Sequence, residues 1–467
     1  MESSGGTTRR AFLSASAVTA VSVPLFTGSA AAAESAQPAG RDLRDLLRQI
    51  DRDRIKATVT RLTEFGTRHT LSSQDDPVRG IGAATTWVYE QMQGYAAASN
   101  GRMTVAKQSF VQPVSSRIPT PTTITNVIAT LHGDASPERV YVVTGHLDSR
   151  VTDVMNFTSD APGADDDGSG VAVVLELARV FATRQTHGTV VFGVVSAEEQ
   201  GLYGSAYMAQ QMKAAGTDVQ GMFSNDIVGA SQAWDGTKPD PHTLRLFVEG
   251  VPTSETPAQA AIRQSVGGEN DGPSRQLARF VKEVAGPEVT GMNIRVIWRR
   301  DRYLRGSDHL SFLQQGYAAG RFTEPRENFN HEHQDVRVEN GVQFGDLIQY
   351  VDFDYIARVA KVNGAALWSL AQGPAAPKNL QIHTTPPGTL SGTNVTTLTW
   401  DRGTDADLAG YEVVWRETTE ADWTHRIGVG DVTTVTLDMS KDNVQFGLRA
   451  VDHHGRHSVV AFPQVAP

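Results

Sequence analysis

The sequence contains no cysteine. Disulfides, thiolate metal sites and cysteine nucleophiles are therefore excluded. Any zinc must be held by His, Asp and Glu, a ligand set suited to hydrolytic rather than structural sites. Aromatic residues are sparse, at 7%, and basic charge is in the minority: 42 Lys and Arg stand against 52 Asp and Glu, a formal net charge of −10. That balance argues against nucleic acid and anionic membrane as partners. Long hydrophobic runs are missing as well. The apolar stretch near the N-terminus, Ala11 to Phe26, is too short and too rich in Ala, Ser and Thr to anchor in a bilayer. No membrane span is expected in the mature protein.

What is present starts with an export pattern. Thr8-Arg9-Arg10-Ala11-Phe12-Leu13 carries a twin arginine, and small residues from Ser29 to Ala33 suit a signal peptidase. Residues 1–33 read as a signal of twin-arginine type, and the mature protein is expected to be secreted or extracytoplasmic. That route carries folded proteins, so metal can load before export. The 467 residues, 39% of them apolar, suffice for two or three domains. Residues 34–40 read as a small-residue linker, 41–372 as the main domain, 373–377 as a second linker and 378–467 as a C-terminal module.

In the main domain, helical spacing runs from Asp42 to Thr60 and from Gly82 to Gln93. Asn126–Leu131 and Val140–Thr144 read as a hairpin about Gly133-Asp134. Strand and helix signals then alternate. Thr189–Val195 is a continuous apolar run, as expected of a strand buried on both faces. The fold class expected is α/β, with a mixed, mostly parallel sheet sandwiched by helices, followed by a small all-β sandwich. Gly267 to Pro273 is rich in turn formers and reads either as a loop over a cleft or as an inert surface turn. Beyond Pro377 helix signals stop and short alternating runs take over. Trp400, the Gly410-Tyr411-Glu412-Val413-Val414-Trp415 strand and the late strand before Asp452-His453-His454-Gly455 resemble a fibronectin type III module. Such a module is a candidate for docking on cell wall, polysaccharide or protein.

Five short segments carry metal-ligand residue types: Thr144 to Asp148, Gly163 to Gly168, Ser196 to Glu199, Ser224 to Asp226, and Asn330 to Asp335. Taken singly, each has a plain reading as a solvated turn, a helix cap or surface histidines. Their order decides otherwise, because most follow a strand, and ligands in α/β sheets gather beyond the carboxyl ends of strands. His146, Asp166, Glu198, Glu199, Asp226 and His331 are thereby expected on one rim. That set suits a two-metal site, in which one carboxylate bridges the ions.

On these motifs, over roughly residues 60–370, the chain resembles the secreted bacterial zinc aminopeptidases with co-catalytic metals, relatives of glutamate carboxypeptidase II and the glutaminyl cyclases. The resemblance implies two zinc ions. His146 and Asp226 would bind one, Glu199 and His331 the other, and Asp166 would bridge them. Glu198 would be the general base acting on the water between them, Asp148 would orient the ring of His146, and Asp335 would support the last histidine. The implied substrates are peptides or protein N-termini. A carboxypeptidase or dipeptidase with the same site, or a non-catalytic relative acting as a binding protein, is the alternative. Many family members carry Tyr just before the last histidine ligand to stabilise the tetrahedral intermediate; here that position is Asn330. Asn330, Tyr303, Arg302 and Arg305 are the candidates for that contact. His333 is left open, and His309 reads as a neighbour of the substrate pocket rather than a ligand.

Overall fold

The computed structural model describes residues 21–23, 40–233, 235–384 and 395–466. Apart from Val21–Val23, a strand pairing in parallel with Thr434–Leu437, the proposed signal lies outside the described residues, as does nearly all of the 34–40 linker.

Eight strands form the central sheet: β1 (Met103–Gln112), β2 (Thr122–Leu131), β3 (Ser136–His146), β4 (Gly188–Val195), β5 (Asp218–Asn225), β6 (Thr243–Val248), β7 (Asn293–Ile297) and β8 (Ala319–Thr323). Their order across the sheet is β1-β2-β4-β3-β5-β8-β6-β7. The middle strands β4, β3, β5 and β8 run parallel. β1, β2 and β4 pair antiparallel, as do β6 and β8. The expected β2–β3 hairpin does not form, because β4 lies between them. β3 reaches β4 through the helix Gly168–Ala182, and β4, buried along its whole length, takes the interior place its apolar sequence demands.

Alternation along the strands builds two cores. Tyr141 and Val143 join the larger one, with the helices Arg52–Glu64, Gly168–Ala182 and Phe353–Gln372. Val140 and Val142 face the smaller one, with Met208 and Phe312. The single helix expected over Asp42–Thr60 is two: Arg41–Leu47 ends, and Asp51 caps Arg52–Glu64 by accepting from the backbone N–H of Asp53 and Arg54. Phe353–Gln372 is the longest helix among the described residues, and most of its residues are buried.

The C-terminal strands form two facing sheets around Leu398, Trp400, Tyr411, Val413, Phe446 and Leu448. This sandwich is fastened to the main domain. The Asp271 carboxylate accepts from Arg279 Nη1 at 2.9 Å and from Arg416 Nη2 of the sandwich at 2.7 Å. Trp423 Nε1 donates to Gln276 Oε1 at 3.0 Å, and its ring lies beneath both guanidiniums. Arg449 pairs with Glu283 at 3.0 Å. The Gly267–Pro273 segment is thus neither of the two things its sequence suggested. It is part of the seam between the domains.

Candidate metal centre

His146 closes β3, Glu198 and Glu199 follow β4, and Asp226 follows β5. All stand at the carboxyl ends of parallel strands, where side chains from neighbouring strands converge. Asp166 reaches the same rim from the turn before the helix Gly168–Ala182. Asp167 caps that helix: Oδ1 accepts from the Gly170 N–H at 2.9 Å and Oδ2 from the His146 N–H at 2.8 Å. This fit needs glycine at Gly145 and Gly170. A Cβ at the former would lie 2.5 Å from the Gly170 backbone, and at the latter 2.4 Å from the Asn225 carbonyl.

His146 Nε2 is 3.1 Å from Asp166 Oδ1 and 3.9 Å from Asp226 Oδ1. The other carboxylate oxygen, Asp166 Oδ2, is 2.7 Å from His333 Nε2, which in turn lies 2.9 Å from Glu199 Oε1. Two groups of potential ligands result: His146, Asp166 and Asp226, then Asp166, Glu332 and His333, the ligand atoms within each lying within 4.8 Å of one another. Asp166 belongs to both.

Five placements differ from expectation. His331 does not join the rim. Its half-buried ring stacks on Tyr350 with centroids 3.5 Å apart, and His333, which takes φ +52°, reaches Asp166 in its place. Asp335 is exposed and supports no imidazole; its N–H donates to Thr152 Oγ1. Asp148 lies beside His146, but the contact to ring Nδ1 is its backbone carbonyl, at 3.0 Å, with the carboxylate 3.7 Å away. That carboxylate instead accepts from the N–H groups of Glu198 and Glu199 and from the Thr70 hydroxyl, fixing the acidic pair. Asn330 bonds through its backbone to Asn328 and Gly345. Tyr303 is 79% exposed beneath the Arg299 guanidinium, whereas Arg305 reaches the rim by pairing with Glu332 and Glu327. His309 is buried against the Arg300 carbonyl, and burial pushes its pKa down to about 4.

Three supporting residues were not anticipated. Arg321, fully buried, holds Asp226 Oδ1 at 2.8 Å. Asp346 accepts from the N–H groups of Asp165 and Asp166, both at 2.8 Å. Glu332 is the acidic member of the second group. An arginine inside the short, otherwise uncharged strand β8 was a visible signal; Asp346 offered none.

The electrostatics point to a cation. Burial works against charge on His146, yet the surrounding carboxylates, Asp167 foremost, hold its pKa well above the ordinary histidine value. Burial also pushes the Glu198 carboxyl well above its usual range. Burial acts the same way on Asp226, but Arg321 and His146 overcome it and hold that carboxyl low. Glu199 Oε1 is buried with no hydrogen-bond partner beyond the nearby imidazole, and Glu332 Oε2 has none. Bringing buried carboxylates together is costly unless a cation compensates them. Imidazole nitrogen and carboxylate oxygen without sulfur is a donor set that fits hydrolytic zinc.

Comparison with known proteins agrees. Residues 126–340 match the model of peptidase family M28. A probable zinc metalloprotease of Pyrenophora tritici-repentis is 53% identical over 429 residues, which is 91% of this chain and 88% of the relative. Another, from Leptosphaeria maculans, is 52% identical over 422 residues, covering 90% and 96%. The chain belongs to peptidase family M28 and is a zinc metallopeptidase acting on peptides. Among solved structures, LapA aminopeptidase of Legionella pneumophila matches with a TM-score of 0.48 at 18% identity, over 70% of this chain and 73% of that one. Porphyromonas gingivalis glutaminyl cyclase matches with a TM-score of 0.47 at 18% identity, over 68% and 97%.

The exchange of histidines gives a direct test. His333→Ala should lose bound zinc, whereas His331→Ala should keep it, as read by metal analysis after dialysis. Zinc lost only from His331→Ala would restore the assignment first drawn from sequence.

Proposed function

We propose that the protein is a secreted aminopeptidase that works with two zinc ions. The observation that carries this reading is the position of Asp166, whose two oxygens face the two ligand groups separately. His146 and Asp226 would hold one ion, His333 and Glu199 the other, with Asp166 between them and Glu332 beside the second. Bound zinc supplies the positive charge that acidifies a water and polarises a scissile carbonyl.

The chain's own residues account for the rest. Glu198, at the tip of the turn fixed by Asp148, accepts the water's proton and returns it to the departing amine. A free α-ammonium suits a rim with an excess of carboxylates, which favours the N-terminal end of a peptide. The twin arginine and small-residue pattern of residues 1–33 support export.

The test is hydrolysis of a leucyl anilide against its N-acetylated twin, with chelator and with zinc restored. Zinc-dependent cleavage of the free-amine substrate alone is expected. Cleavage of neither, with zinc bound, would move the reading to a carboxypeptidase or dipeptidase.

A further inference from the structure

The two ligand groups are not electrostatically equal. Arg321 lies on β8, whose register sets it beside Ser224 of β5. It is fully buried. Its Nη2 is 2.8 Å from Asp226 Oδ1 and donates to the Asp226 carbonyl at 3.2 Å, while Nη1 donates to the Gly306 carbonyl at 2.8 Å. One oxygen of Asp226 is therefore already committed to a fixed guanidinium. The same positive charge faces any cation that His146 and Asp226 would share.

Among the described residues no fully buried guanidinium pairs with a carboxylate of the second group. Glu332 belongs to it and has a buried oxygen without a hydrogen-bond partner, as Asp308 has beside the first group, while Glu199 Oε1 lies 2.9 Å from His333 Nε2. Its nearby cation, Arg305, is 39% exposed at the side chain and divides itself between Glu332 and Glu327. Solvent screens such a charge far more than it screens one sealed in the core.

We propose that Arg321 is a positioning residue that makes the two ion sites unequal, so that the His333–Glu199 site fills first and tightly while the His146–Asp226 site holds its ion weakly and exchanges it. This rests on the two-ion reading above. Arg321 orients Asp226 and weakens that carboxylate's hold on a divalent cation.

The experiment is calorimetric titration of zinc into chelator-stripped full-length enzyme. Two phases are expected, separated by more than about tenfold in affinity. Asp226→Asn should remove the weaker phase and Glu199→Gln the tighter one. Arg321→Met should narrow the gap by strengthening the weaker phase, and Arg321→Lys, which keeps the charge, should preserve it. Should Arg321→Met fail to fold, the Asp226 and Glu199 variants still decide which site is weak. Two equivalents of one affinity in the wild type, or the reverse assignment of the phases, overturns the proposal. A single equivalent, lost in Glu199→Gln and kept in Asp226→Asn, would uphold the inequality at its limit while removing the two-ion reading. A single equivalent with the opposite dependence would overturn both.

Discussion

Glu198→Gln should abolish most turnover while leaving zinc in place. The amide keeps the size of the side chain but cannot accept a proton, and a lost general base typically costs roughly 10²–10⁴-fold in rate. The fall should appear in kcat, with KM little changed, because the group acts on the water rather than on the ground-state substrate. The surroundings favour the role. Burial, and the neighbouring Asp226 and Glu199 carboxylates, raise the affinity of Glu198 for a proton, which suits a group that must pick one up and give it back near neutrality; bound divalent cations oppose that shift. Steady-state kinetics with metal analysis on the same sample provide the check. A variant within about tenfold of wild type would remove Glu198 from the reaction. A variant that also lost its zinc would make it a ligand.

The second large effect is on stability and lies far from the chemistry. Asp271 is a buried anion between two buried cations, Arg279 and Arg416. Asp271→Ala leaves both guanidiniums without their counter-ion at the seam. Breaking a buried charge pair from one side typically costs about 3–5 kcal/mol. Urea denaturation should show a loss of that order, with the zinc content of the folded protein unchanged. A loss below about 0.5 kcal/mol, the scale of an ordinary surface substitution, would mean that the seam contributes little. Replacing all three charged residues by apolar ones of similar volume should cost less than Asp271→Ala alone, because no stranded charge remains.

The sequence was most legible where local pattern and tertiary role coincide. Thr189–Val195 announced an interior strand because such a strand is apolar on both faces. His146, Glu199 and Asp226 could be placed together because each ends or follows a strand. Legibility failed where backbone conformation decides. His331 and His333 stand two residues apart in a loop with no period. Which ring turns inward depends on a left-handed φ at His333 and on the stacking of His331 on Tyr350, neither of which composition reveals. β1 was missed because it lies at the sheet's edge, largely exposed, so it carries little apolar signal. The hairpin expected of β2 and β3 failed for a topological reason: adjacent strands in sequence were separated by a later one, which no short window can show.

The seam between the domains has a mechanical meaning. A module on a flexible tether lets an enzyme sweep a volume around whatever it grips. Here Arg416, Trp423 and Arg449 hold the sandwich against the helix Pro273–Val284 and the turn before it, a docked rather than a tethered arrangement. In this arrangement the C-terminal module holds one distance and one angle to the metal centre. Anything seated on the sandwich would meet the peptidase at a single fixed offset, as against a ruler. A chain end of the right reach would be presented at high effective concentration, and one of the wrong reach would be kept away.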